Sequence, residues 1–212
     1  GAYPINENLD KFNFYYATEE GDYNDRPLIC NLPSNFWDRC SFADAVVILH
    51  RNEEGDSAHG NVFSAEGSEN CGECPDDPNV GCKSFLHESG HGIFGLADEY
   101  RDSCPPRTRY FEPRPFPNIW DSIEECQQEA RNEGWDENLC REFYRCGMDH
   151  WFKIDVGNGP LDGTGRRGDI MSWGCPSDTW GVACQRRINK VFEDVEEWSR
   201  KYGFGLECPT PE

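Results

Sequence analysis

Basic residues are scarce in this chain. Twenty Lys and Arg stand against forty Asp and Glu, a formal net charge of -20 over 212 residues. Such a surface repels phosphate backbones and anionic lipid, so neither nucleic acid nor membrane is an expected partner. Long apolar runs are missing too: nothing approaches the roughly 18 to 20 residues of a membrane-spanning helix. No apolar stretch opens the chain, and a signal peptide is expected to be absent or already removed. There is no Asn-x-Ser/Thr sequon, so N-glycosylation is not expected. Hydrophobic residues make up only 36% and methionines number two, which makes any methionine in a motif conspicuous.

What the chain does have is cysteine and aromatic residues. Twelve cysteines and 13% aromatics argue against disorder. An even cysteine count at this density points to an oxidising compartment and six disulfides, hence a secreted, extracellular protein. The acidic surface is explained by solubility in such a setting, with a preference for cationic substrates as the second explanation. The length fits a single domain over 1–212, expected to act as a monomer.

The centre of the stretch from Ser84 to Tyr100 is His87-Glu88-Ser89-Gly90-His91, an H-E-x-x-H pattern. At 3.6 residues per turn, His87 and His91 share a helix face and can reach one metal ion. Glu88 then stands beside that ion without ligating it, placed as a general base for a water that the metal acidifies. Gly90 and Gly92 each cost about 1 kcal/mol in a helix relative to Ala. A helix that keeps them needs its backbone approached closely, by packing or by substrate. In a continuous helix Asp98 would stand roughly 10 Å further along the axis than His91, too far for a short carboxylate to share the metal. A chain reversal at Gly95 would bring it back. Two imidazoles and a carboxylate leave a fourth position open, the arrangement of catalytic zinc. Asp98 is therefore the expected third ligand, with Glu99 and His150 as rivals.

These residues also carry a resemblance. His87-Glu-x-x-His91-x-x-x-Gly95-Leu96-Ala97-Asp98-Glu99-Tyr100 resembles the signature of the immunoglobulin-A peptidase family of zinc metallopeptidases. That family belongs to the zincins and is similar to the metzincins. Here Phe94 stands where metzincins place glycine, and Asp98 where they place a histidine. The resemblance implies a single-domain α/β (α+β) zincin-like fold: a twisted mixed sheet, an active-site helix across it and a C-terminal helix behind. It further implies that the strand before the helix is the sheet edge on which an extended substrate pairs. Met171, in Asp169-Ile-Met-Ser-Trp-Gly174, lies in the right order for the methionine-containing turn beneath the metal ligands of metzincin-like enzymes. Trp173 replaces the tyrosine that often follows. Tyr100 is a weak candidate for an oxyanion donor.

Elsewhere the pattern gives structural expectations. Phe12 to Tyr16 reads as a strand, Ala43 to Leu49 as a strand for the middle of a sheet, and His59 to Ala65 as another. His59 is more readily an edge residue than a cleft residue. Cys30 and Cys40 bracket a loop and are candidates for a local disulfide. Cys71-Gly-Glu-Cys74 with Cys82 lacks a second C-x-x-C, so disulfides are favoured over a zinc knuckle. Asp76, Asp77 and Asn79 offer oxygens for a structural Ca2+, but their spacing matches no EF-hand. A helical, cysteine-containing insertion is expected at about 104–150. It begins with a proline-rich loop from Cys104 to Pro117. A helix capped by Ser122 and Glu125 follows, then a second helix from Asp136 to about Gly147. Asp155 to Asp169 reads as a loop. Gln185 to Tyr202 reads as a core-packing helix, with Gly203 its terminator and Cys208 pinning the tail.

The function these expectations converge on is a secreted zinc-dependent endopeptidase acting on protein or peptide. The alternatives are another zinc-dependent amide or ester hydrolase, and a disulfide-rich binding module without activity. An intact Glu88 speaks against the last.

Overall fold

A computed structural model describes residues 4–15, 38, 40–50, 57–59, 61–66, 83–99, 108–110, 116–145, 149–155, 169–172, 180–194 and 204–206. Its elements form an α+β arrangement of helices and small sheets. The first sheet contains β1 (Val46–His50), β2 (Ser57–His59) and β3 (Val62–Glu66). β3 is central, parallel to β1 and antiparallel to β2, so the sheet is mixed.

Two expectations change here. The apolar run from Ala43 to Leu49 is not mid-sheet: among the described residues β1 is an edge, with Leu49 63% exposed. The stretch His59 to Ala65 is not one strand: β2 ends at His59, β3 begins at Val62, and the two run antiparallel with His59 opposite Val62. β3, the last described strand before the histidine-bearing helix, consequently has neighbours on both sides. Among the described residues the outermost strand of this sheet on that side is β2.

Helix α1 (Lys83–Gly92) lies on β3. Phe85 meets Phe63 edge-on at 5.7 Å, and a methyl at Gly92 would collide with the Phe63 ring. The opposite side of α1 packs into the largest described cluster, which includes Leu86, Phe94, Leu96, Met171, Trp180 and Ile188. The helix is thus clasped between sheet and core, which fixes the direction of its polar face.

Helix α2 (Ile123–Glu133) starts as expected, with the Ser122 hydroxyl accepting from the Glu125 N–H at 3.2 Å. The return bond goes from the Asp121 N–H to the Glu125 carboxylate, one residue outside the usual box. The second expected helix is absent. A 3-10 turn at Glu137–Leu139 leads into β5 (Cys140–Arg145), paired antiparallel with β6 (Asp149–Ile154). Leu139 and Phe143, four apart, mimic a helical stripe. The hairpin instead sets Phe143 opposite Trp151, and both are buried in a cluster with Ala97, Phe116 and Ile119. Among the described residues the disulfide Cys126–Cys140 ties α2 to β5.

The proline-rich segment is not wholly irregular, since β4 (Thr108–Tyr110) pairs with β7 (Phe204–Leu206). The last described helix, α3 (Val182–Glu193), begins earlier than its apolar stripe predicted and ends at Asp194, where the backbone turns extended. Residues 195–203 and Cys208 lie outside the described set. Phe12 to Tyr15 form no strand either. They follow a 3-10 turn at Asn6–Lys11, and Phe12 stacks on Phe14 instead of pairing its backbone. Complete cysteine pairing also fails: Cys40 and Cys184 are free thiols. Cys30, Cys71, Cys74 and Cys82 lie outside the described residues, as do Asp76, Asp77 and Asn79. No described helix is long and apolar enough to cross a membrane.

Candidate metal centre

α1 carries His87 and His91 on one face, with their rings edge to face and centroids 4.9 Å apart. The helix stops because Gly95 adopts φ 63°, a left-handed conformation that costs glycine little. Its N–H bonds the His91 carbonyl at 3.0 Å, and the Leu96 N–H bonds the Gly90 carbonyl at 2.9 Å. The reversed chain carries Asp98 back over the helix end. Asp98 Oδ1 lies 3.0 Å from His87 Nε2 and 3.1 Å from His91 Nε2, and the two Nε2 atoms are 3.2 Å apart.

The far side of each ring explains why these atoms converge. His87 Nδ1 is 2.7 Å from the Ile170 carbonyl, and His91 Nδ1 is 2.7 Å from the Leu96 carbonyl. A carbonyl can only accept, so each Nδ1 carries the hydrogen and Nε2 is the nitrogen left to offer a lone pair to a metal. Two lone pairs and a carboxylate oxygen facing one point repel one another unless a cation joins them. Zinc at its usual ligand distances would set tetrahedral ligands about 3.3 Å apart, close to the observed spacings. The donor set therefore fits a divalent metal, with His87, His91 and Asp98 as the residues that could hold it. Without one, a proton must serve. Burial lowers the His87 pKa, but the bond and charge of Asp98, aided by Glu88 and the Ile170 carbonyl, outweigh it and raise the pKa to about 9.

Glu88 is buried beside His87, close enough for its charge to be felt by that ring. Met171 is completely buried beneath the helix. A methyl at Gly90 would run into the Met171 sulfur, which accounts for that glycine. The Met171 carbonyl also accepts from the Glu99 N–H at 2.8 Å, joining its turn to the ligand loop. Phe94, in the place of the metzincin glycine, fills the core against Trp180 and Phe192.

One rival of Asp98 falls elsewhere. Glu99 points away from the histidines into a second buried group with Asp169 and Cys184. His150 stands in β6 opposite Tyr144, and its side chain lies outside the described set. So do Tyr100, Trp173 and the side chain of His59.

The second group escaped the sequence reading. Glu99 Oε1 accepts from Asn118 at 2.9 Å and from the Cys184 thiol at 3.3 Å, while Lys153 Nζ stands 3.9 Å from Oε2. Asp169 receives the Met171 N–H at 2.9 Å and the Gly181 N–H at 2.6 Å. Burial, then the charge of Asp169, pushes Glu99 up to about 8 against the opposing pull of Lys153 and the bonds from Asn118 and Cys184. The same two causes raise the Cys184 thiol well above its ordinary value, with Glu99 adding to them. Asp169 accepts a backbone N–H at each carboxylate oxygen, and Lys153 Nζ stands by Glu99 as a cation of the protein's own. The group reads as a structural hub. Only the acid opening Asp169-Ile-Met-Ser hinted at it, since nothing local marks Asn118 or Lys153.

Comparison of the chain with protein families, with curated proteins and with solved structures finds no match.

Proposed function

We propose that this chain is a zinc-dependent endopeptidase of the zincin type, secreted and related in its site to the immunoglobulin-A peptidase family. One observation carries the proposal: His87 Nε2, His91 Nε2 and Asp98 Oδ1 converge while both Nδ1 hydrogens are held by backbone carbonyls. Three protein ligands leave coordination open for substrate, as catalytic rather than structural zinc requires. Bound there, zinc supplies a Lewis acid that acidifies a water and polarises a carbonyl. Glu88 takes a proton at its carboxylate and returns it to the leaving amine, the role its burial next to His87 allows. The Ile170 and Leu96 carbonyls hold the imidazoles in the ligating tautomer. Met171 fills the space under Gly90, so the helix cannot sink away from the site.

The test joins metal analysis to peptide cleavage, with and without chelator. Wild type should hold one zinc and cleave a peptide library, and chelation should stop it. Glu88→Gln should keep its zinc and lose about 10²–10⁴ in turnover. Asp98→Ala should lose zinc and activity together. Protein that takes up no transition metal, or Glu88→Gln that cleaves normally, would sink the proposal.

A further inference from the structure

The reach of Asp98 is set by its backbone, because its carboxylate hangs on a single methylene. That backbone belongs to no helix or strand. Asn118, which is completely buried, holds the two neighbours of Asp98: Ala97 through the backbone and Glu99 through the side chain. The Asn118 amide accepts from the Ala97 N–H at 2.9 Å and donates to the Ala97 carbonyl at 2.7 Å, closing a ring with that residue. Its amide nitrogen also donates to Glu99 Oε1 at 2.9 Å. Asp98 therefore sits between two residues fastened by one side chain.

Asn118 is fastened in turn by the segment around it. Two residues on, Trp120 exchanges backbone bonds with Phe152 of β6, both 2.9 Å. Phe116 and Ile119 pack with Ala97, Phe143 and Trp151. Lys153 of β6 reaches toward Glu99 from the same side and bonds the Ser172 hydroxyl at 2.8 Å, next to Met171. The β5–β6 pair thus touches the ligand loop and the methionine turn together.

We infer that Asn118 is a positioning residue: borne by the segment packed on the β5–β6 hairpin, it braces residues 97–99 so that Asp98 meets the two histidines. The inference rests on the proposed metal site, and it explains what the insertion contributes there.

The experiment compares Asn118→Ala with wild type in the full chain, by zinc affinity in chelator competition and by the visible spectrum after cobalt loading. Ile154→Val, a truncation in the neighbouring core cluster, is the control for general destabilisation. Asn118→Ala should lose about 10- to 100-fold in zinc affinity, the usual cost of removing an outer partner of a metal ligand. Its cobalt bands should shift, whereas Ile154→Val should alter neither. Where Asn118→Ala does not fold, Asn118→Asp keeps the volume and the acceptor but loses both donated bonds, and should weaken zinc in the same sense. Folded variants with affinity within about twofold of wild type, far short of that loss, and an unchanged cobalt spectrum overturn the brace while leaving the zinc site standing. Wild type that binds neither zinc nor cobalt overturns both.

Discussion

Gly90 shows how one missing methyl is decided by opposing magnitudes. Alanine there would gain about 1 kcal/mol in helix propensity. It would also drive a carbon into the Met171 sulfur, with Trp180 close behind. Overpacking of this kind costs about 1–3 kcal/mol, so Gly90→Ala should be destabilising on balance in chemical denaturation. A double-mutant cycle with Met171→Ala should show coupling, because removing the sulfur removes the clash. Glu99 gives a second prediction at this scale. Its folded pKa of about 8 exceeds the ordinary 4.5, so between those values the folded state holds a proton that the unfolded chain releases. Stability is therefore lost as pH rises through that window. Melting temperature should fall from about pH 5 to about pH 9, and Glu99→Gln, which has no proton to lose, should flatten the fall. An equally steep fall in the variant would show that another group carries it.

Among the elements, α2 and the hairpin beside it hold Asn118 and Lys153 in place. Ser122→Ala removes the acceptor for the Glu125 N–H and should cost about 1 kcal/mol. The Cys126–Cys140 bond closes a separation of 14 residues, so replacing both cysteines with alanine should cost roughly 3 kcal/mol by loop entropy. Calorimetry checks both. At this scale the limits of reading a sequence are plain. The start of α2 was legible because a cap signal is local, and α1 with its Gly95 reversal for the same reason. The β5–β6 pairing was not, because Leu139 and Phe143 fit a helical stripe until Trp151 of β6 is set opposite Phe143. Asn118 joins residues 19 and 21 positions away, so it looks like any asparagine beside a proline-rich loop. Asp98 could be nominated by spacing, but its brace depends on contacts that no window of sequence contains.

The whole molecule carries 20 more acidic than basic groups. That field should draw cationic peptides toward any site on the chain, and salt should screen it over a Debye length of about 8–10 Å. On the proposed activity, kcat/KM for Lys- and Arg-rich peptides should decline with ionic strength more steeply than for neutral ones. Equal slopes would remove charge from the account of substrate choice. The two imidazoles, by contrast, are steered by main-chain oxygens at Leu96 and Ile170. Every amino acid brings the same oxygen, so these anchors are indifferent to spelling at either position. Ile170→Val should leave zinc affinity untouched, while a one-residue deletion between 169 and 172 should abolish it. What heredity must preserve here is a route through space, and a comparison of letters alone would pass over it.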